Sequence, residues 1–304
     1  MIQVDVILPI YKSEDIVYES IESVINQSYQ YWHLYIVDDA SNDNRLEEIK
    51  SKYADYGSKI SYFQFEKNKR AAACRNYAIK NGNGKYIAFI DQDDLWKQDK
   101  LQLQVDYIEN SKVDAVHGNI EFINTNSSII SKKRSKREND TRRKVDWHNL
   151  SKVKLANQIF MVPNIRIISS MISRNLFEKI GGFKDEYFGG EDEIYWFEVA
   201  YHGKIGYLDS ILIQRRIHDA NTVTIYKADR LIGYARAIKY LKNNYYNDIR
   251  ENYHIKERAL YSSVINLLRR EKKRLLVFKY VCIDLYYYPQ STILKIIKNE
   301  SPWK

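Results

Sequence analysis

Acidic residues follow two apolar segments that are typical of buried β-strands. The acidic segment 91–94 (Asp-Gln-Asp-Asp) comes directly after the apolar segment 86–90, and Asp38 and Asp39 come after 34–37. Carboxylates at a strand end can share a hard cation, and Mg²⁺ is usually held by one or two carboxylates plus substrate phosphates. The carboxylate of Asp38 or Asp39 could accept hydrogen bonds from a nucleotide base or ribose. Either cluster could instead be a solvated turn or the cap of the following helix.

Three further sites could take part in such chemistry. Glu191 and Asp192 open a helical pattern after two glycines, where they could supply a general base or simply favour the helix dipole. His218 follows a strand pattern and could contact a metal or phosphate, although a lone histidine is more often structural or exposed. Cys74 has no histidine beside it in sequence, so a packing role is favoured over nucleophilic catalysis. The sequence has no zinc-binding motif and no Walker-type phosphate loop.

Alternating strand and helix patterns position these residues. Strand patterns occur at 4–10, 34–37, 60–65 and 86–90, and helical patterns at 17–25, 45–53 and 71–80. Such alternation predicts an α/β fold with a doubly wound, mostly parallel sheet. Ligands of these sheets bind at the carboxyl ends of the strands, so both acidic clusters should share one sheet edge.

The remainder of the chain contains a charged segment, further strands and a helical end. The segment 131–144 has eight Lys or Arg residues against two acids, which predicts a mobile loop. Strand patterns return at 205–208 and 212–217. Helical spacing dominates after a boundary near residue 225 and predicts a basic helical C-terminal region, 226–304.

Composition and charge limit the function classes. The 304 residues are 44% apolar and 29% charged, which is ordinary for a globular protein. The net charge of +9 predicts attraction to anions, whether nucleic acid, an anionic membrane surface or nucleotide phosphates. Two cysteines cannot form a disulfide framework, which favours a cytoplasmic location. Neither an apolar run of about 18 residues nor a signal-peptide pattern is present, so no transmembrane helix is expected.

Several segments together resemble the family-2 glycosyltransferases with the GT-A fold. The landmarks, which follow the family's order and spacing, are 6–11 (Val-Ile-Leu-Pro-Ile-Tyr), 23–28, 36–43, 68–76, 86–94, 181–183 (Gly-Gly-Phe), 191–192 (Glu-Asp) and 216–218 (Arg-Ile-His). The segment 86–94 is similar to the family's DxD region. The resemblance implies a GT-A catalytic domain at 1–225, with a nucleotide-sugar half at 1–110 and an acceptor half at 111–225.

The resemblance assigns donor-binding residues to the strand ends. Pro9, Tyr11 and Asp39 match the stretch that holds the nucleotide base, with Asp39 directed toward the uracil. Asp91 and Asp93 match the DxD pair. Asp93 is the better candidate for a direct ligand of Mn²⁺ or Mg²⁺.

The resemblance also assigns the catalytic base and further contacts. Asp192 matches the base, with Glu191 beside it, and His218 matches a histidine that reaches the metal or diphosphate in some relatives. Arg70 stands where the family usually has glycine. Its side chain could contact a phosphate or the base of the donor, or the loop could simply be reshaped. Arg75 closes the same segment and is assigned to donor binding.

The implied reaction is a single displacement that inverts the anomeric carbon of a nucleoside-diphosphate sugar, expected to be UDP-linked. The implied acceptor is a saccharide or lipid-linked saccharide of bacterial surface polysaccharide. Two other classes stay open: a nucleotide-sugar-binding partner subunit without transfer activity, and a basic nucleic-acid-binding protein. Intact Asp93 and Asp192 argue against the first, and the lack of aromatic residues within 131–144 argues against the second.

The basic helical region has two interpretations. It could pack against the catalytic domain or a second copy of the chain as a homodimer. Alternatively, its Lys, Arg, Tyr and Leu residues could attach the protein peripherally to the anionic inner face of the plasma membrane.

Overall fold

The computed structural model describes residues 2–130, 132–162, 165–217 and 227–270. The strands within these ranges are β1 (Val4–Ile10), β2 (Trp32–Asp38), β3 (Ile60–Gln64), β4 (Tyr86–Phe89), β5 (Leu95–Trp96), β6 (Ala115–Ile123), β7 (Ser170–Ser173) and β8 (Ile205–Arg216). The α-helices within them are α1 (Ile16–Ile25), α2 (Arg45–Lys52), α3 (Arg70–Lys80), α4 (Lys100–Ser111), α5 (Lys132–Arg143), α6 (Lys152–Met161), α7 (Arg174–Lys179), α8 (Glu191–His202) and α9 (Lys227–Arg270).

The described strands form one mixed sheet in the order β3-β2-β1-β4-β7-β6-β8-β5. The four neighbouring strands β3, β2, β1 and β4 run parallel to one another, and β6 runs parallel to β8. Strand β7 is antiparallel to β4 and β6, and β5 is antiparallel to β8. The predicted mostly parallel α/β sheet with helices between its strands is therefore confirmed. Because β1, β2 and β4 are parallel, the chain leaves all three at the same edge.

Pro9 is compatible with the centre of the sheet because of where the pairing between β1 and β4 ends. Ile7 O accepts a hydrogen bond from Ile90 N at 3.1 Å, and the last paired residues are Ile7 and Phe89. The backbone N–H and C=O groups of successive residues in a strand point alternately to its two neighbouring strands. The backbone of Pro9 therefore points toward β4, as that of Ile7 does, but Pro9 lies beyond the last residue that pairs with β4. The missing N–H of Pro9 therefore leaves no ladder hydrogen bond unmade.

The chain divides into two compact units. The first comprises Met1–Glu186 and Tyr195–Asn221 and contains the whole sheet. The second comprises Tyr187–Ile194 and Thr222–Lys304. Its helix α9 departs from helical backbone angles at Tyr245, where φ is −135°.

The C-terminal helical prediction holds as far as the structure describes the chain. Helix α9 runs to residue 270, and 271–304 lies outside the described residues. No helix among the described residues is both long and apolar enough to cross a membrane. The domain boundaries near residues 110 and 225 stay predictions.

The prediction of a mobile loop at 131–144 is wrong, because this segment forms α5. Asn139 accepts a hydrogen bond from Ile120 N at 3.1 Å and donates one to Ile120 O at 3.0 Å. Ser135 Oγ accepts from Phe122 N at 3.3 Å. The helix is thus held to β6 by polar side chains on one face. A reading of hydrophobic periodicity cannot detect such a face.

The strands predicted at 205–208 and 212–217 are one continuous strand, β8. Its register with β6 shifts on both sides of Asn119, next to the backbone that Asn139 binds. Asn119 donates to Asp209 Oδ1 at 2.7 Å within this irregular stretch. A bulge interrupts the alternation of inward and outward side chains, which is why the pattern suggested two strands.

Candidate active site

The loops that follow β1, β2 and β4 are connected by hydrogen bonds. Gln92 accepts from Tyr11 N at 2.7 Å and donates to Tyr11 O at 3.1 Å. Ser20 of α1 donates to Gln92 O at 2.9 Å, and Asp39 N donates to Ile10 O at 2.8 Å. The loop that carries Tyr11 and the two acidic clusters are therefore brought together at one edge of the sheet, as the sequence predicted.

Asp39 lies beneath the N-terminus of α3. Its two carboxylate oxygens accept from Lys69 N at 2.6 Å and Arg70 N at 2.8 Å. Burial raises the pKa of Asp39, and the two amide donors oppose that rise. The prediction that this pair caps the following helix is wrong, because Asn44 is the N-cap residue of α2 and Asp39 binds amides at the start of α3 instead. Each carboxylate oxygen carries a second lone pair, so the same side chain retains acceptor capacity for a base N–H.

Asp38 has a different role from its neighbour. It is buried, and its carboxylate accepts from the Ser41 hydroxyl, from Ser41 N at 3.2 Å and from Gln64 Nε2 at 2.9 Å. Ser41 Oγ in turn accepts from Lys12 N at 2.8 Å. Asp38 therefore fixes the shape of the loop after β2, whereas Asp39 supports the start of α3.

Arg70 occupies a backbone conformation that favours glycine. Its φ is +75°, in the left-handed region, at the first residue of α3. An L-residue with a Cβ loses about 1–2 kcal/mol in this region, whereas glycine does not. The glycine that the family usually has here is explained by this angle. In this chain the strained backbone carries an arginine side chain beside the amides that Asp39 binds.

We expect Arg70→Gly to be more stable than Arg70→Ala by about 1 kcal/mol, because only glycine relieves the positive φ. Both variants remove the guanidinium, so the alanine variant is the matched control for loss of the side chain. Urea unfolding of the two proteins measures the difference. Equal stabilities would show that the backbone at residue 70 is not held in the left-handed region.

Asp91 is paired with a buried arginine from α3. Arg75 Nη2 lies 2.8 Å from Asp91 Oδ1, and the Arg75 guanidinium lies 5.6 Å from the centre of the Phe183 ring. The Asp91 side chain is half-exposed, at 39%. The geometry places Arg75 as a partner that positions Asp91. Direct contact of Arg75 with a donor stays a prediction.

Asp94 supports the turn from inside, whereas Asp93 is partly exposed. Asp94 is buried and accepts from Arg216 N at 2.8 Å, while its own amide donates to Asp91 O at 3.2 Å. Burial and the negative charges of Asp93 and Asp91 raise the pKa of Asp94 well above its usual value. The three carboxylates therefore repel one another, and a cation would relieve that repulsion.

This donor set fits a hard divalent cation. Asp93 offers a carboxylate at the surface of the turn, and oxygen ligands are those that Mg²⁺ and Mn²⁺ prefer. Within the described ranges no group of three or more His, Cys, Asp or Glu side chains forms a complete metal site. A cation here would therefore need further ligands, such as substrate phosphates or water. His218, the other predicted ligand, lies outside the described residues.

Arg216 at the end of β8 is a site residue whose role the sequence did not reveal. Its side chain is fully buried. The guanidinium donates to the carbonyl oxygens of Asp93 (2.9 Å), Asn124 (3.1 Å) and Thr125 (2.7 Å), the hydroxyl of Ser127 (3.1 Å) and the carboxylate of Glu19 (2.8 Å). One side chain thus ties the acidic turn to α1 and to the loop after β6. The signals in the sequence were the adjacent arginine at the end of an apolar strand and the place of Arg216 in the landmark 216–218.

We expect Arg216→Met to lower the free energy of unfolding by about 3–5 kcal/mol, because several carbonyl acceptors and the half-exposed carboxylate of Glu19 lose their buried partner. Arg143→Met is the control, since Arg143 is exposed and its pairs with Asp140 and Asp209 are superficial. That change should cost about 1 kcal/mol or less. Chemical denaturation measures both. Similar losses in the two variants would contradict the positioning role of Arg216.

Glu191 and Asp192 begin α8, as predicted, and belong to the second compact unit. Glu191 accepts a hydrogen bond from Gly189 N. Gly189 has a φ of +88°, and a Cβ at this position would lie 2.4 Å from the Cα of Arg230. The Asp192 side chain is exposed. An exposed carboxylate in the first turn of a helix is in a position suited to proton transfer.

Glu193 was not singled out from the sequence. Burial raises its pKa to about 7, and the negative charge of Asp192 adds to the rise while Arg230 opposes it. A pKa near neutrality is a property of general bases and also of buried structural carboxylates. Within the second unit, Glu193 also influences the pKa values of Tyr234 and Lys256.

Comparison with known proteins agrees with the geometry. The family model described as "Glycosyl transferase family 2" matches residues 5–180. The chain is 37% identical over 126 residues to UDP-Glc:alpha-D-GlcNAc-diphosphoundecaprenol beta-1,3-glucosyltransferase WfgD of Escherichia coli. The aligned residues are 41% of this chain and 49% of that protein. The chain is 38% identical over 105 residues to the putative teichuronic acid biosynthesis glycosyltransferase TuaG of Bacillus subtilis, which covers 34% of this chain and 41% of that protein.

Two solved structures share the fold. TarS 1–349 of S. aureus, in complex with UDP-GlcNAc, aligns with a TM-score of 0.60 at 18% identity and covers 88% of this chain and 72% of that one. The mannosyltransferase PcManGT of Pyrobaculum calidifontis, in complex with GDP-Man and Mn²⁺, aligns with a TM-score of 0.59 at 16% identity and covers 97% and 79%. At these identities the likeness establishes the architecture.

Proposed function

Because the chain belongs to glycosyl transferase family 2, we propose that it is an inverting, metal-dependent glycosyltransferase. The donor is a UDP-linked sugar and the acceptor is a saccharide or lipid-linked saccharide of a bacterial surface polysaccharide. The observation that carries the proposal is the convergence of Asp39, Asp91 and Asp93 at one sheet edge. The names of the E. coli and B. subtilis relatives support the substrate classes.

Donor binding begins at the ends of β1 and β2. Asp39, fixed by the amides of Lys69 and Arg70, accepts from the N–H of the uracil ring with its remaining lone pairs. Tyr11 lies at the same edge of the sheet, and its backbone N–H and C=O are hydrogen-bonded to the side chain of Gln92. Pro9 keeps the end of β1 in an extended conformation beneath the base.

The leaving group requires relief of negative charge. Asp93 would hold Mn²⁺ or Mg²⁺, and Asp91 in the same turn is oriented by Arg75. The chemistry that such a cation would supply is neutralisation of the charge that develops on the departing diphosphate. Arg216, through Asp93 O and the amide contact with Asp94, keeps this turn in place during the reaction.

The acceptor hydroxyl is the nucleophile. Asp192 removes its proton as the oxygen bonds to the anomeric carbon and the bond from that carbon to the diphosphate oxygen breaks. The products are the inverted glycoside, the nucleoside diphosphate and a protonated Asp192. The position of Asp192 in the first turn of α8 leaves its carboxylate accessible to an acceptor.

Donor turnover tests the proposal. The full chain is incubated with a panel of UDP- and GDP-sugars, with and without Mn²⁺, and release of nucleoside diphosphate is measured. We expect metal-dependent hydrolysis or transfer with a UDP-sugar. Binding of a UDP-sugar without turnover, even with candidate acceptors, would favour the alternative of a binding subunit. Absence of both binding and turnover would contradict the proposed function.

The basic C-terminal region supports a cytoplasmic enzyme held at the membrane surface. Segment 269–274 (Arg-Arg-Glu-Lys-Lys-Arg) carries five cations, each worth about 1 kcal/mol near an anionic surface. We expect the full-length protein to sediment partly with anionic vesicles at low salt and to be released by added salt, and not to sediment with neutral vesicles. Protein that stays in solution with anionic vesicles would leave packing or homodimer formation as the role of this region.

A further inference from the structure

Gly181, Gly182 and Phe183 form a tight turn after α7. Both glycines have left-handed backbone angles, with φ of +73° and +69°. A Cβ at Gly182 would lie 2.8 Å from Asn76 Oδ1 and 3.1 Å from the ring of Phe177. Glycine therefore permits both the backbone angle and the close approach of this turn to α3. The result is that Phe183 lies next to Asn76.

Asn76 of α3 binds both backbone groups of Phe183. Its Nδ2 donates to Phe183 O at 2.8 Å, and its Oδ1 accepts from Phe183 N at 3.0 Å. Phe183 is only 2% exposed, so its backbone groups need partners inside the protein. Because one side-chain amide supplies both a donor and an acceptor, it fixes the orientation of Phe183 as well as its position.

The ring of Phe183 supports the arginine that is paired with Asp91. The Arg75 guanidinium lies over this ring, 5.6 Å from its centre, while Arg75 Nη2 lies 2.8 Å from Asp91 Oδ1. The ring is itself stacked on that of Tyr195, with centres 4.2 Å apart and planes 17° apart. A guanidinium over an aromatic face is attracted to it, so a displaced ring would allow Arg75 to move.

We infer that Asn76 is a positioning residue for the acidic turn 91–94. Asn76 fixes Phe183, the ring of Phe183 supports Arg75, and Arg75 orients the carboxylate of Asp91. This inference rests on the proposed function, in which the acidic turn carries the cation ligand. Replacing a residue that orients a metal-binding group typically lowers metal affinity by about 10- to 100-fold. The expected effect of losing Asn76 is therefore on the cation and not on the nucleotide base.

Calorimetric titration of UDP to the full chain, with and without Mn²⁺, tests the role of Asn76. We expect Asn76→Ala to weaken UDP binding in Mn²⁺ by about ten-fold or more and to leave binding without Mn²⁺ unchanged. Asn81→Ala is the matched control, because Asn81 ends the same helix and its side chain donates one exposed hydrogen bond, to Tyr77 O at 2.8 Å. It should bind UDP as the unaltered protein does.

Two results of this titration would overturn the inference. One is equal Mn²⁺-dependent affinity in Asn76→Ala and Asn81→Ala. The other is an equal loss of UDP affinity with and without Mn²⁺ in Asn76→Ala, which would assign Asn76 to the nucleotide part of the site.

The Nε–H signal of Arg75 in a ¹⁵N NMR spectrum tests the same path without donor or metal. The signal is assigned by its absence from Arg75→Lys. We expect it to shift in Asn76→Ala and in Phe183→Leu, which keeps the backbone groups of residue 183 and removes the ring. It should stay in place in Asn81→Ala. An unshifted signal in Asn76→Ala would show that Asn76 does not act through Arg75 and would overturn the inference.

Thermal unfolding of each variant is measured first. Should Asn76→Ala fail to fold, Asn76→Asp decides the result, because aspartate keeps the acceptor for Phe183 N and loses only the donor to Phe183 O. It should show the same two effects. Absence of UDP binding by the unaltered protein would count against the proposed function, and the Arg75 signal would then decide the inference alone.

Discussion

Replacing Asp93 with alanine is expected to abolish Mn²⁺-dependent binding of the nucleotide sugar while the protein stays folded. The Asp93 side chain is partly exposed at the surface of the acidic turn, and the contact that Arg216 makes there is with the carbonyl oxygen of residue 93, which alanine retains. A metal ion contributes several kcal/mol to binding and charge stabilisation, so donor affinity in Mn²⁺ should fall by at least about 100-fold.

Asp99→Ala is the control for this prediction. Asp99 is an exposed acid close by in the chain, and its side chain forms no cap hydrogen bond at the start of α4. Calorimetric titration of UDP with and without Mn²⁺ measures the effect on each protein. If Asp93→Ala binds UDP with the same Mn²⁺ dependence as Asp99→Ala, Asp93 is not the metal ligand.

Asp192→Asn is expected to retain donor binding and to lose transfer by about 10²–10⁴-fold, which corresponds to about 3–5 kcal/mol of barrier. The amide has nearly the shape of the carboxylate but cannot take the proton of the acceptor hydroxyl. Because the Asp192 side chain is exposed, the change should leave stability unaltered. The measurement is the transfer rate at saturating donor, together with UDP affinity.

Asp185→Asn makes the same chemical change at an exposed acid before α8 and should keep full activity. Near-normal transfer by Asp192→Asn would place the base elsewhere. Glu191 and Glu193 are the next residues to replace. If Glu193, whose pKa is raised to about 7, were the base, the transfer rate would rise with pH around 7. Glu193→Gln would then remove that rise of the rate with pH.

The sequence determined the first half of the fold because its signals there are local. Strands β1, β2 and β4 are runs of apolar residues buried on both faces, which is the pattern of central parallel strands. Their parallel direction follows from the helices between them. Once that direction is known, Asp39, Asp91 and Asp93 must lie at one edge. The grouping of the candidate donor site was therefore readable from spacing alone.

The sequence alone did not distinguish the roles of neighbouring residues of the same type. Asp38 and Asp39 differ because successive side chains of an extended chain point in opposite directions, one toward Ser41 and Gln64 and the other toward the amides of α3. The positive φ of Arg70 is likewise a property of the turn that joins β3 to α3. It is set by the positions of both elements.

Only the tertiary structure decided the identity of α5 and the burial of two arginines. Helix α5 has no apolar face, and it forms because Ser135 and Asn139 bond to backbone groups of β6 where the pairing with β8 is irregular. Arg142 and Arg216 read as solvated charges, yet both are buried. The partners of Arg216 come from distant parts of the chain, whereas Arg142 has Glu138 one turn earlier on the same face of α5. A local pattern records the tendency of a residue toward water or core. It cannot record which polar partners the fold will bring to it, and those partners determine whether burial is favourable.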